Sequence, residues 1–158
     1  SSLHRVRHLF HLRDLQTQTK GFQCFVPYPF LPDDSRLPDA QLATGNEVLR
    51  TIAISRILLD NIPHIKAYRM NIGDSLSELA LQYGADDVDG IVQQEQIMHL
   101  AGSNTNLQSS LGDLAKIVVN AGGIPVRRNS TYTRFELFDA EPLESRNLPR
   151  VRTLKVIQ

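Results

Sequence analysis

Three short runs of strand-forming residues, separated by helical patterns, constrain this chain more than any other feature. Residues 22–30 read Phe-Gln-Cys-Phe-Val-Pro-Tyr-Pro-Phe, an aromatic and β-branched run between a glycine and a Pro-rich loop over residues 31–42. His64-Ile65-Lys66-Ala67-Tyr68 and residues 86–92 are the second and third. Strands that alternate with helices predict βαβ units and a parallel sheet. Three units are too few for a closed eight-stranded barrel, and no G-x-G-x-x-G or Walker sequence supports a nucleotide-binding sheet. The pattern is that of part of a barrel.

The intervening segments read as amphipathic helices. Leu3, Val6, Leu9, Phe10 and Leu15 recur at helical spacing, and the helix is expected to end near Lys20-Gly21 with Gly21 as its left-handed cap. Thr44-Gly45-Asn46-Glu47 is a capping box, opening a helix with Val48, Leu49, Ile52, Ala53, Ile57 and Leu58 on its apolar face. Ser75-Leu76-Ser77-Glu78 reads as a second capping box, for a short helix with Leu76, Leu79, Ala80 and Tyr83 inward and Gly84 as its stop. Residues 93–101 predict another helix, and 102–106 a polar turn. Leu107, Leu111, Leu114, Ala115 and Val118 predict a last helix, closed by Gly122-Gly123. Pro27 and Pro29 cannot donate to a ladder, so pairing of the first strand should stop near them. From residue 124 onward, strand-like pieces mixed with Pro and charge predict no defined architecture.

Composition removes several classes of function. The 158 residues suffice for one domain with a core. Lys plus Arg equals Asp plus Glu at 17 each, which argues against a nucleic-acid or membrane-surface partner. His4, Arg5, Arg7, His8 and His11 scatter around a helix with no interleaved aromatics, a solvated face rather than a nucleic-acid or metal site. No apolar run approaches the roughly 20 residues that span a bilayer, and the start lacks a signal-peptide core, so a cytoplasmic location is expected. Cys24, the single cysteine, excludes an internal disulfide and a multi-cysteine metal site. The chain opens almost inside its first helix, so its start reads as a cut.

The residues that suggest chemistry cluster around the third strand. Asp86, Asp87 and Asp89 crowd beside Gly90, and a strand end carrying carboxylates is expected to face the mouth where α/β proteins gather ligands. Asp86 and Asp87 are catalytic candidates, with loop capping as the competing role; Asp89 is a substrate-binding candidate. Glu95 and His99 fall four apart on a predicted helix and would share a face, as a proton-handling pair or as a surface pair worth only ~0.3 kcal/mol. His64 and Lys66 are candidate substrate contacts, His64 against a structural role and Lys66 as a cation for a carboxylate. Arg127 and Arg128 are carboxylate anchors by chemistry, although adjacent residues of an extended segment face opposite ways, so at most one serves.

Four segments, Phe22-Gln23-Cys24-Phe25-Val26-Pro27, His64-Ile65-Lys66-Ala67-Tyr68, Gly84-Ala85-Asp86-Asp87-Val88-Asp89-Gly90 and Glu95-x-Ile97-x-His99-x-Ala101-Gly102, occur in an order and at spacings that identify a resemblance. They resemble the C-terminal half of the radical S-adenosylmethionine enzymes of the futalosine route to menaquinone. The Asp86-Asp87-Val88-Asp89-Gly90 form favours the branch that makes aminofutalosine over its sisters, which make cyclic dehypoxanthine futalosine or the deazaflavin cofactor. The resemblance covers the chain to about Tyr132. It implies that residues 1–132 form the C-terminal part of a radical-enzyme βα barrel and that 133–158 are a tail. The fold class expected is α/β, a partial (half) βα TIM-type barrel with parallel strands plus an irregular C-terminal tail.

The same resemblance implies an N-terminal half with a CxxxCxxC loop holding an iron–sulfur cluster that binds S-adenosylmethionine. The resulting adenosyl radical adds to 3-[(1-carboxyvinyl)oxy]benzoate, the small-molecule substrate. Pro27, at the end of the first strand, is the cofactor-facing position it implies here. With one thiol, this chain cannot supply the three thiolates. The expectation is therefore a C-terminal fragment or a split subunit that is inactive alone, needs the missing N-terminal half as its partner, and self-associates without it. A non-catalytic binding module that kept only this half is the competing class. The family pattern has His at Leu31, Trp at Arg69 and Thr at Ile91, departures that leave the choice of substrate open.

Overall fold

The structure, a computed structural model, describes residues 1–32, 37, 39–91, 97–100, 103, 105 and 109–138. Helix α1 (Ser2–Thr19) opens the chain. It ends one residue earlier than the glycine suggests: Lys20, not Gly21, takes the left-handed conformation, at φ 52°. The reason is Gln16, which is buried and makes a two-way bond with the Phe22 backbone, Nε2 donating to Phe22 O at 2.9 Å and Oε1 accepting from Phe22 N at 2.8 Å. That clamp forces the chain to turn at Lys20 and aims it into strand β1 (Cys24–Phe25).

Strands β1, β2 (His64–Ala67) and β3 (Asp87–Val88) form a parallel sheet in the order β1-β2-β3, with Cys24 opposite His64 and Lys66 opposite Asp87. This is the mixed α/β arrangement expected from the alternation, with strands shorter than the sequence runs and β1 stopping before Pro27. Helix α2 (Gly45–Leu58) crosses from β1 to β2 and begins with the expected capping box: Glu47 N donates to Thr44 Oγ1 and Thr44 N to Glu47 Oε2. Ile65 and Ala67, both fully buried, face the helical layer and pack with Val48, Ile52, Ala80 and Ala85. By the period of two, Cys24, His64, Lys66 and Asp87 project from the opposite face. A second core, Leu9, Leu59 and Ile62, seats α1 beside α2.

After β2 the chain makes an unexpected turn of helix, α3 (Arg69–Ile72), before α4 (Asp74–Gln82). The expected Ser75–Glu78 capping box is not formed. Gly73, at φ 79°, closes α3 and opens α4 in one residue, leaving Ser75 already helical, and α4 has no side-chain cap. Ala80 is buried as expected, but Leu79 and Tyr83, also expected inward, are about half exposed, and Ser77 is buried in their place. Short helix α5 (Ile97–Leu100) is followed by α6 (Leu111–Asn120), which packs on α4 and is capped by a Ser110–Asp113 box. Leu107, expected in this last helix, lies outside the described residues. Strands β4 (Val126–Arg128) and β5 (Phe135–Leu137) pair antiparallel as a hairpin where no architecture was predicted. Its turn contains the boundary expected at Tyr132. Among the described residues no helix is long and apolar enough to cross a membrane.

Candidate functional site

The direction of the strands sorts the third-strand carboxylates. In a parallel α/β sheet ligands gather at the carboxyl ends, whereas the amino ends serve stability. Strand β3 begins at Asp87, so Asp86 falls on the amino side, a correction to the expectation that all three aspartates face the mouth. Its oxygens are spent there: Oδ1 accepts from Ile65 N at 2.7 Å and Arg56 at 2.5 Å, and Oδ2 lies 2.8 Å from His64 Nδ1. Arg56 Nε also donates to Gly84 O at 2.7 Å. Gly84 is at φ 112°, and a Cβ built there would sit 2.9 Å from Arg56 Cβ, so the glycine is what allows this close approach. Asp86 and His64 thus form a brace across the amino edge.

Asp87 projects from the open face of the sheet and is the hub of a mostly buried polar cluster. Arg128 grips it with two bonds, Nε to Oδ1 at 2.9 Å and NH2 to Oδ2 at 2.6 Å. Tyr132 Oη donates to Oδ2 at 2.6 Å, and Lys66 Nζ stands off at 3.6 Å. Cys24 shares this face; burial pushes its thiol up, which disfavours the thiolate. Among the described residues Asp87 is shared by two cations, Arg128 and Lys66. Because the Arg128 fork is committed to Asp87, Lys66 is the cation with donors to spare. Arg127 points the other way, as alternation requires, and pairs with Glu136 on the surface at 2.7 Å.

The carboxyl side holds a second cluster. Asp89 is buried, with Oδ1 accepting from Arg69 N, the first residue of α3. Its Oδ2 is buried without a hydrogen-bond partner among the described residues. The Arg69 side chain is fully buried, reaching Asp74 at 3.2 Å and Ser109 at 3.0 Å. Ser103 and Thr105 donate to the backbone carbonyls of Met70 and Arg69. Half-buried Pro27, two residues past β1, lies on this same carboxyl side. His99 is exposed, its Nε2 3.0 Å from Thr105 O; Glu95, its expected partner, lies outside the described residues. An open cleft of about 450 Å³ lined by Pro63, His64, Tyr132 and Phe135 sits at the amino edge, away from Asp89.

Burial pushes the Asp89 carboxyl above its usual range, outweighing the downward pull of the Arg69 amide. Folding then favours the protonated acid. The stability this gives is fully present below the unfolded pKa of about 4 and is lost as pH rises through the folded value. Asp89→Asn, which keeps an oxygen for Arg69 N, is therefore expected to raise the melting temperature at neutral pH and leave it unaltered in acid. Equal shifts at both pH values would contradict this.

These residues do not fit an iron–sulfur cluster by themselves. The one thiol is Cys24, its ionisation opposed, and among the described residues no three His, Cys, Asp or Glu side chains are grouped to hold a metal. Tyr132 was not singled out from the sequence; the alternating Val126-Arg127-Arg128 and Phe135-Glu136-Leu137 around a polar Asn-Ser-Thr-Tyr-Thr turn was the available signal for its hairpin.

Residues 19–140 match the family model described as the CofH/MqnC C-terminal region. The chain is 39% identical over 139 residues to an aminodeoxyfutalosine synthase of Thermus thermophilus, covering 85% of this chain and 37% of that protein. An aminodeoxyfutalosine synthase of Streptomyces coelicolor is 37% identical over 158 residues (93% and 41% of the two chains). A cyclic dehypoxanthine futalosine synthase of the same organism is 32% identical over 155 residues (96% and 38%). The chain therefore belongs to the CofH/MqnC C-terminal family, and it spans about two fifths of the length of these relatives.

Proposed function

We propose that this chain is the C-terminal part of a radical S-adenosylmethionine enzyme of the futalosine route to menaquinone, of the aminofutalosine-forming kind. The observation that carries this reading is the family match over residues 19–140, with aminodeoxyfutalosine synthases at 37–39% identity among the relatives. The cluster and S-adenosylmethionine chemistry would come from residues outside this chain, in an N-terminal half that also pairs with the sheet. Within the chain, two features suit a small acidic substrate. Lys66 offers its ammonium to a carboxylate on the open face of the sheet, and Asp89 offers at the carboxyl side an acceptor without a partner among the described residues, suited to a hydroxyl or amine. Asp87 and Arg128 shape that face, and Asp86 and His64 brace it from below.

Alone, the chain is expected to lack turnover and to self-associate, because β1 and β3 are sheet edges and Ile57 and Leu137 are about three-quarters exposed. Sedimentation of this piece as a single monomeric species at all concentrations would argue against the half-barrel. The most direct test of the assignment is the full-length product from the source. A CxxxCxxC segment upstream of Ser1 supports the enzyme. A mature protein lacking one favours the binding module.

A further inference from the structure

We propose that Tyr132 is a positioning residue: it holds the Asp87 carboxylate against the hairpin, and so leaves the Lys66 ammonium available to an acidic ligand. This rests on the reading of Lys66 as the substrate-facing cation and adds to it a residue that sets the availability of that cation.

The backbone at Tyr132 is unusual. Among the described residues only Lys20 and Tyr132 combine a side chain with positive φ. At Lys20 the conformation is a routine helix end, but a large aromatic at φ 54° within a turn is unfavourable unless its surroundings hold it there. Two sets of contacts do. The turn is fixed from within by Asn129, whose Oδ1 accepts from Thr133 N and Arg134 N and whose Nδ2 donates to the hydroxyls of Thr131 and Thr133. The ring is fixed from without, stacked on His64 at 4.4 Å and 17°, with the Arg128 guanidinium 3.8 Å above it. The result is a phenol delivered 2.6 Å from Asp87 Oδ2.

That delivery decides what Asp87 can do. Arg128 takes one bond on each oxygen and Tyr132 takes a second on Oδ2, so the carboxylate is engaged from the hairpin side. Lys66, directly opposite Asp87 in the sheet, is ion-paired with it at 3.6 Å, too long for a hydrogen bond. Without the phenol, Oδ2 gains an empty acceptor position beside the ammonium, and Lys66 is expected to close from its present loose ion pair onto a direct hydrogen bond. Its ammonium would then be tied more tightly within the protein and less available to a ligand. Within residues 126–137 only Arg128, Asn129 and Tyr132 are partly buried and the others are exposed, so the contact is not a by-product of general packing.

Absorbance titration of the tyrosines in the parent and in Tyr132→Phe tests the contact, because subtracting the two curves isolates one phenol. Burial and the Asp87 carboxylate both push the Tyr132 phenol up, so that phenol should stay un-ionised in the range where a free one, with a pKa of about 10, ionises. In Asp87→Asn it should ionise at lower pH. In the full-length enzyme, Tyr132→Phe is expected to raise KM for the acidic substrate about tenfold while kcat is retained, the worth of one hydrogen bond to a charged group. A role in stability alone would not move KM in that selective way. An isolated phenol that ionises normally in the parent overturns the inference, as does an unaltered KM in the Tyr132→Phe enzyme. A parent enzyme with no turnover overturns the proposed function instead, and the phenol titration then decides the contact.

Discussion

Replacing Arg69 by alanine is expected to lower the unfolding free energy by about 3–5 kcal/mol, the range of large-to-small changes at fully buried sites. Among the described residues Arg69 is the largest side chain that the fold buries completely. Its removal leaves a cavity and strips a hydrogen-bond partner from Ser109 and the positive neighbour that favours ionised Asp89. Arg69→Met separates these contributions. The methionine keeps most of the aliphatic volume and discards the charge, and replacing buried charge by well-packed apolar side chains is often neutral or better. Urea midpoints at constant slope are the measurement: a large loss in the alanine variant with substantial recovery in the methionine variant. Equal losses in both would show that the guanidinium bonds dominate.

Asp87→Ala is the second large effect, about 2–4 kcal/mol, because it removes one partner of a mostly buried ion pair. Lys66 and Arg128 are each about four-fifths buried and would lose the carboxylate they share. The loss should be uneven. Hairpin amides of Val126–Arg128, held to the sheet through Arg128 and Tyr132, should exchange faster, while the Ile65 amide, bonded to Asp86, retains its protection relative to the global limit. Uniform loss of protection through both regions would mean that the hairpin and sheet unfold as one unit. Asp87→Asn, which keeps acceptor and shape, should cost less.

What was legible in the sequence was periodicity and local chemistry. The Thr44 capping box and the parallel α/β alternation depend on neighbours close in the chain, and both are present; the helical faces are present only in part, with Leu9, Val48, Ile52 and Leu114 buried but Leu3, Phe10, Leu15, Ile57 and Leu79 exposed. The misses arise where a distant contact chooses between local options. Gln16, by clamping Phe22, moves the helix end from Gly21 to Lys20. Gly73 serves two helices because α3 intervenes, which overrides a Ser-x-x-Glu pattern that is otherwise a good start signal. The carboxylates illustrate the same limit more sharply. Asp86, Asp87 and Asp89 look alike in sequence, yet one residue of register decides between an amino-edge brace, a hub on the open face and a buried acid on the carboxyl side. Of the adjacent arginines, alternation correctly allowed only one to face the cluster, but it could not show that Arg128 would spend its fork on Asp87.

The measurement that tests the account most directly is product formation by the full-length protein. It is to be prepared anaerobically with its cluster reconstituted and supplied with S-adenosylmethionine, a reductant and 3-[(1-carboxyvinyl)oxy]benzoate. The account predicts a product with the mass of aminofutalosine, and its loss when Lys66 is replaced by methionine. No product from this substrate with the cluster intact, or formation of a sister enzyme's product from that enzyme's own substrate, would contradict it.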